Sequence, residues 1–149
     1  MPSIELTTVI DAPVERVFDA ARDVDRHAET MADHGERAVA GVTEGRLAAD
    51  DTVTWRSRHF GVPLELTVRT TEMDRPQFFR DEQVDGPFRE MRHDHRFERL
   101  GPGRTKTVDD FRFASPLGPV GSVVDALVLE RYMRRLLSKR NRALRDAVE

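Results

Sequence analysis

Hydrophobic and polar residues alternate at two different periods along the first third of the chain. Residues 4–10 place Ile4, Leu6 and Ile10 on one side of an extended segment, which predicts a first strand. Apolar residues then recur at helical spacing over 14–21, which predicts a short amphipathic helix with Asp11 as its N-cap. A second short helix is predicted over 25–32, with Asp25 as its cap.

From residue 37 to residue 114 the period is two, as in a half-buried strand. The predicted strands are 37–44, 52–60, 64–73, 77–84, 88–99 and 105–114. The breaks between them contain glycine, proline and aspartate, as at 61–63, 74–76, 85–87 and 101–103. Connections this short favour an antiparallel meander.

The last part of the chain returns to helical periodicity. The sequence PLGP at 116–119 ends the last strand, and an apolar stripe over 119–147 predicts one long helix. Seven antiparallel strands need a partner on their concave face, which this helix can cover. Residues 1–149 are therefore expected to form a single α+β domain, since no linker or repeat divides them.

The composition excludes several kinds of functional site but identifies none. The 149 residues have a net charge of −3 and no cysteine, which excludes disulfides, thiolate metal sites and a cysteine nucleophile. No apolar run approaches the ~20 residues that a membrane span needs, and 1–13 lack the features of a signal peptide. We expect a cytoplasmic protein with no membrane span, and the slightly acidic balance predicts no nucleic-acid partner.

Several segments resemble one known superfamily. The opening IDAPVERVF at 10–18, then FRDEQVDGPF at 79–88, MRHDHRF at 91–97, DDFRF at 109–113 and PLGP at 116–119 are similar to START-like (SRPBCC) proteins, in particular to the polyketide cyclase/dehydrase-like and uncharacterised ligand-binding branches. The resemblance covers essentially the whole chain. It implies a helix-grip fold, in which a seven-stranded antiparallel sheet wraps a long C-terminal helix, with two short helices between strands 1 and 2. It also implies a cavity for a lipid-like or polycyclic molecule, without a metal or another cofactor.

Strand alternation assigns side chains to the two faces of this sheet. The odd-numbered residues of the sixth strand, such as His93 and His95, are predicted to face the helix. The charged residues between them, Asp94 among them, are predicted to face solvent. The predicted lining has an apolar set, Trp55, Phe79, Met91, Phe97, Phe111 and Phe113, and a polar set, His59, Asp81, Gln83, His93, His95 and Asp109. A mostly apolar wall with a few convergent polar groups is typical of a small-molecule site.

Closing the last hairpin about Pro102 sets His95 directly opposite Asp109, and we expect these side chains to touch. Four roles are open to this pair and its neighbours. The pair could be a structural hydrogen bond that fixes the strand register, or it could recognise a ligand hydroxyl or carbonyl. His93 and His95 could bind a metal with Asp81 and Asp109, or His95 with Asp109 could act as an acid–base pair.

Cations crowd the end of the last helix and have two interpretations. Arg131, Arg134, Arg135, Lys139, Arg140, Arg142 and Arg145 outnumber the acidic residues there. They could form a solvated face that complements the helix dipole, or they could bind an anionic partner such as a phospholipid headgroup or RNA. His27 and His34, in the short-helix region, are expected at the surface.

The first hypothesis is therefore a monomeric or homodimeric module that binds an apolar small molecule between the sheet and the C-terminal helix. The alternatives are a cyclase/dehydratase-type enzyme that uses His95 with Asp109, and an interaction protein that uses the basic helix.

Overall fold

In the computed structural model of the protein, which describes residues 3–114 and 128–149, one sheet contains all seven strands. The strands are β1 (Ser3–Ile10), β2 (Arg37–Gly41), β3 (Thr52–His59), β4 (Val62–Asp74), β5 (Phe78–Asp85), β6 (Glu90–Gly101) and β7 (Arg104–Ala114). Their order in the sheet is β1-β7-β6-β5-β4-β3-β2, and every neighbouring pair is antiparallel. The predicted meander and helix-grip topology are confirmed.

Helices α1 (Val14–Ala21) and α2 (Val24–Thr30), followed by a single 3-10 turn at Ala32–His34, separate β1 from β2. The last helix, α3, is Glu130–Val148. The predicted start of this helix near 119 and the turn at 116–119 lie outside the described residues. No helix in the described ranges is long and apolar enough to span a bilayer.

The predicted faces of β6 and β7 are confirmed by burial. Met91, His93, His95 and Phe97 are all buried, as are Thr107, Asp109, Phe111 and Phe113 on β7. The register is also as predicted, because His95 is the Cα partner of Asp109. On β5, Phe79 pairs with His95 and Asp81 with His93. The odd-numbered residues therefore face inward on both strands of the hairpin.

Two apolar clusters hold the helices against the concave face. The first lies toward the start of α3, where Leu137 joins Trp55, Met91 and Phe111. The second joins α1, the end of α3 and strands β1, β5 and β6, and its buried members are Ile10, Ala12, Val14, Val17, Phe18, Ala20, Phe79, Phe97, Leu144 and Val148. The stacked rings of His93 and His95 lie between these two clusters, because His95 stacks on Phe79 of the second and His93 meets Phe111 of the first edge-on.

Three details of the sequence prediction are wrong. Residue Pro13, not Asp11, occupies the N-cap position of α1, and the side chain of Asp11 pairs instead with Arg104. Helix α2 is capped by Asp23, whose carboxylate accepts from the Arg26 N–H. Strand β2 ends at Gly41 instead of 44, because Gly41 has a φ of 71°, outside the extended region. Glycine is required there, since a Cβ would also collide with the carbonyl oxygen of Thr52.

The outer face of the sheet also contains a buried carboxylate that alternation assigned to solvent. Asp94 is 2% exposed, although it points away from the helix. The Arg80 guanidinium lies across it, with Nε 2.6 Å from Oδ1, and Arg96 approaches Oδ2 at 3.6 Å. Long arginine side chains thus cover an outward aspartate, which a period-two pattern does not encode.

The second cluster should carry much of the stability of the α1 end. Phe18 is fully buried and packs edge-on against Phe79 and Phe97, with ring centroids 5.4 and 5.1 Å apart. We expect Phe18→Ala to lower the free energy of unfolding by about 3–5 kcal/mol, measured by urea denaturation. Phe60→Ala is the matched control, because Phe60 is exposed and its loss should change stability by no more than about 0.5 kcal/mol. Equal effects would contradict the packing described above.

Candidate functional site

A cavity of about 370 Å³ lies between the inner face of the sheet and helix α3. Most of its wall is apolar, with Trp55, Leu66 and Met91 on the sheet and Met133 and Leu136 on the helix. Phe60 also borders the cavity and is 71% exposed, so the space reaches solvent at the β3–β4 turn. Its size is within the range of about 300–1,000 Å³ that is usual for small-molecule sites.

The structure brings most of the predicted lining residues to this cavity. Those at its wall are Trp55, His59, Phe79, Asp81, Met91, His93, His95 and Phe111. Alternation placed them on the correct face, and the curvature of the sheet brings β3, β5, β6 and β7 around the same space.

Four predicted lining residues are absent from the wall. Gln83 turns back onto its own hairpin, where its amide donates to the Phe88 carbonyl at 2.7 Å and accepts from the Phe88 N–H at 3.1 Å. Phe97 lies in the second apolar cluster beneath α1, and Phe113 is fully buried in the first cluster against Phe88. These side chains share the inward face but lie beyond the ends of the cavity.

The fourth, Asp109, lies behind the wall at the centre of a buried polar cluster. Its Oδ1 accepts from His93 Nε2 at 2.8 Å and from Arg140 Nη1 at 3.2 Å, and its Oδ2 accepts from Asn141 at 2.9 Å. His95 Nδ1 lies 3.4 Å from the same carboxylate, so the predicted contact of His95 with Asp109 is confirmed. Asp109 therefore has four neighbours where the sequence analysis expected one.

His95 has a closer carboxylate partner in Asp81. Its Nε2 is 3.2 Å from Asp81 Oδ2, while Thr70 donates to the other oxygen of Asp81 at 3.0 Å. Arg140 Nη2 lies 3.3 Å from His95 Nδ1, and a guanidinium can only donate. We therefore assign the His95 proton to Nε2, which donates to Asp81.

Stacking fixes the planes of both imidazoles. The His95 ring lies between Phe79, with centroids 4.0 Å apart, and His93, with centroids 3.7 Å apart. Both faces of the His95 ring are covered and both of its nitrogens face protein groups, so its orientation is determined by the surrounding protein.

Burial and neighbouring charges shift the proton equilibria in this cluster. Burial, together with the adjacent His95, lowers the pKa of His93 to about 4, so His93 is neutral near pH 7. Burial acts to raise the pKa of Asp109, but the hydrogen bond from His93 and the charge of Arg140 hold that pKa well below its usual range. The cluster therefore contains an ionised Asp109 against the Arg140 guanidinium.

The same geometry bears on metal binding. One ligand atom each from His93, His95 and Asp109 lies within 4.8 Å of the others, which is close enough to share an ion. The guanidinium of Arg140, however, is 3.2 Å from the Asp109 oxygen and 3.3 Å from His95 Nδ1. A divalent ion would have to displace this resident cation, so the cluster fits an internal ion pair better than a metal site.

Arg140 was assigned from the sequence to the basic face of the last helix, and that assignment is wrong. It is 7% exposed and points inward together with Asn141. Their spacing from Leu137 and Leu144, at three or four residues, contained this signal, because it places them on the apolar stripe of α3. The cations that remain exposed on the helix include Arg131, Arg135 and Arg142, while Lys139 pairs with Asp33.

A second group of polar residues near the opening was also missed. His27 is only partly exposed, and its ring lies against Trp55 with centroids 4.5 Å apart. His34 stacks on His59 at 4.6 Å, and His59 Nδ1 is 2.6 Å from the Tyr132 hydroxyl. Glu36 borders the cavity beside them. His27 belongs to the seven-residue helix α2, His34 to the 3-10 turn and Glu36 to the segment before β2. These pieces are too short for a periodic pattern to indicate an inward direction.

Comparison with known proteins agrees with this architecture. The family model for polyketide cyclase / dehydrase and lipid transport matches residues 1–149. No curated protein sequence matches the chain.

Solved structures of similar fold cover nearly the whole chain. The protein TTHA0849 from Thermus thermophilus is 20% identical with a TM-score of 0.75, covering 99% of this chain and 100% of that one. A START superfamily protein from Mycobacterium smegmatis is 17% identical with a TM-score of 0.73, covering 98% and 96%. The Zhui aromatase/cyclase from a Streptomyces species is 18% identical with a TM-score of 0.68, covering 98% and 95%. At these identities the likeness concerns the fold alone.

Removing Arg140 should leave Asp109 buried without its cation. We expect Arg140→Met to lower the free energy of unfolding by about 3–5 kcal/mol in urea denaturation. Arg142→Met, on the exposed side of the same helix, is the control and should have little effect. Adding Asp109→Asn to Arg140→Met should recover part of the loss, because the uncompensated charge is then gone. A loss no larger than that of Arg142→Met would contradict the buried ion pair.

The lowered pKa of His93 makes stability depend on pH. Between pH 6.5 and about 4 the unfolded chain binds a proton at His93 that the folded chain excludes, so stability falls as the pH falls through this window. The expected loss from this residue is about 3 kcal/mol. His93→Gln keeps a donor for Asp109 but does not titrate. Denaturation of this variant between pH 7 and pH 4 should show a shallower slope, and an unchanged slope would refute the assignment.

Proposed function

The chain belongs to the polyketide cyclase / dehydrase and lipid transport family, with a START-like ligand-binding fold, and we propose that it binds an apolar, ring-containing small molecule in the cavity beneath α3. The observation that carries the proposal is the cavity itself, which combines about 370 Å³ of space, an apolar wall and a few buried polar groups at one end.

The apolar wall favours a flat, largely unsaturated ligand. Aromatic side chains approach the space from different strands, with Trp55 on β3, Phe79 on β5 and Phe111 on β7, while Met91 and Met133 supply flexible thioether surface. Rings stack on aromatic side chains, and methionine adapts to irregular outlines. Burying the apolar surface of such a molecule contributes roughly 25 cal/mol per Å².

The buried polar end would orient this molecule. His93 lies at the cavity wall, uses Nε2 toward Asp109 and has no hydrogen bond at Nδ1 within the described part of the chain. Since His93 is neutral, Nδ1 is an acceptor. Asp81 also borders the cavity and is acceptor-only when ionised. This end therefore suits a ligand hydroxyl, which donates to His93 or Asp81.

Catalysis of the cyclase or dehydratase type is the second candidate, favoured by the presence of imidazole and carboxylate side chains at an apolar cavity. The geometry supports it less well than binding. The two nitrogens of His95 already face Asp81 and Arg140, and burial leaves His93 a weak base with a pKa of about 4. Proton transfer at His95 would require one of these internal contacts to open.

Binding can be followed with the protein's own tryptophan, because Trp55 is the single tryptophan in the sequence and lies in the cavity wall. We expect 2-anthrol, a flat ring system with one hydroxyl, to change Trp55 fluorescence saturably. Val68→Phe should weaken this binding by about tenfold or more, since Val68 is buried at the wall and the larger ring takes up cavity volume.

Arg69→Phe is the matched control, because Arg69 is the next residue along β4 and is exposed on the opposite face. It should leave the affinity unchanged, and circular dichroism would establish that both variants fold. Native mass spectrometry of the freshly purified protein tests in parallel for a co-purified ligand. If 2-anthrol produces no saturable change in the wild type and no ligand co-purifies, the proposal fails. Equal affinities of the two variants would also overturn the assigned cavity.

A further inference from the structure

A carboxylate borders the cavity at a distance, in the sheet, from the buried polar cluster. Glu36 immediately precedes β2, where Arg37 pairs with Arg56 of β3, so the next position in this register sets Glu36 beside Ser57. Glu36 and Ser57 both border the cavity. Asp81 and His93 belong to β5 and β6, and β3 and β4 lie between them and β2 in the sheet. The two polar regions are therefore at separate places on the wall.

Glu36 is well buried yet lacks a hydrogen-bond donor. Its side chain is 10% exposed, and its Oε2 is inaccessible to solvent without a hydrogen bond from any residue in the described ranges. His27 Nε2 lies 3.0 Å from this oxygen, which is within ion-pair distance, but the contact does not have hydrogen-bond geometry. A buried carboxylate oxygen in this condition is costly unless a donor reaches it.

The neighbouring polar groups do not fill this need. His59 Nδ1 and the Tyr132 hydroxyl are 2.6 Å apart and bond to each other, and neither residue bonds to Glu36 in the described ranges. The His27 ring packs against Trp55, so the carboxylate is next to aromatic surface that also borders the cavity. A donor-bearing group on a ring could reach Glu36 while the ring itself contacts Trp55.

We propose that Glu36 forms a second polar subsite, which accepts a hydrogen bond from a hydroxyl or ammonium group of the ligand at the end nearer the opening. This inference rests on the proposed function and narrows it. The ligand class becomes a flat apolar body with a polar group at each end, one directed to His93 and Asp81 and the other to Glu36.

Three probes with the same ring system test the subsite, namely naphthalene, naphthol and naphthylmethylammonium. Dissociation constants are measured from Trp55 fluorescence. In the wild type we expect both donor-bearing probes to bind about tenfold or more tightly than naphthalene, as a hydrogen bond to a charged group allows. Glu36→Ala should lower this preference for both probes to what His93 and Asp81 alone supply, and leave naphthalene binding unchanged.

Glu36→Gln separates the two donor types, because glutamine keeps an acceptor oxygen but loses the charge. Preference for the ammonium probe should disappear, while a hydroxyl preference should persist in weakened form. Glu29→Gln removes an exposed carboxylate from α2 and controls for the general loss of negative charge. It should leave every affinity unchanged.

The outcomes distinguish this inference from the proposed function. If naphthalene binds the wild type and Glu36→Ala leaves the probe preferences intact, or weakens all three probes equally, the subsite is refuted and the cavity assignment stands. If none of the probes binds the wild type, the proposed function itself fails. An equal effect of Glu29→Gln and Glu36→Gln would also refute the subsite, since charge alone would then explain the change.

Discussion

The contact between Asp109 and Arg140 is the constraint on which the interior depends. It joins the middle of β7 to the middle of α3, and each charge is almost completely removed from water. Because neither group could be buried alone, the helix must lie where its guanidinium reaches this carboxylate. The same guanidinium faces His95 Nδ1, and the same carboxylate accepts from His93. The position of the helix and the orientation of both imidazoles are therefore determined together.

Strand periodicity was sufficient to predict the sheet and its inward face. Side chains alternate strictly along a strand, and hairpins that preserve parity carry the assignment from β5 to β7, which is why His95 opposite Asp109 could be predicted. The period does not report how far along the cavity a residue lies. Phe97 and Phe113 share the correct face but belong to packed regions, and Gln83 is close enough to its own turn to bond there.

Residues whose burial depends on a partner in another element were the ones the sequence did not reveal. Arg140 belongs to a helix with many arginines, so its charge favoured an exposed position. Its place on the apolar stripe of the helix indicates burial only once Asp109 is known to lie opposite it. Asp94 is the reverse case, since Arg80 of the neighbouring strand and Arg96 of its own strand cover an outward position. His27 comes from a helix of only seven residues and Glu36 from the segment before β2, both too short for a period to be read, so only the folded chain brings them to the cavity.

The polar cluster divides the interior into two apolar compartments with different duties. The one toward the start of α3 shares its walls with the cavity, whereas the one that contains Phe18, Leu144 and Val148 holds α1 and the end of α3 against the sheet and, among its buried members, reaches the cavity only through Phe79. Most side chains that shape the cavity are therefore separate from those that anchor these helices. In this chain, ligand preference can therefore diverge over evolutionary time while the anchor of the fold is retained.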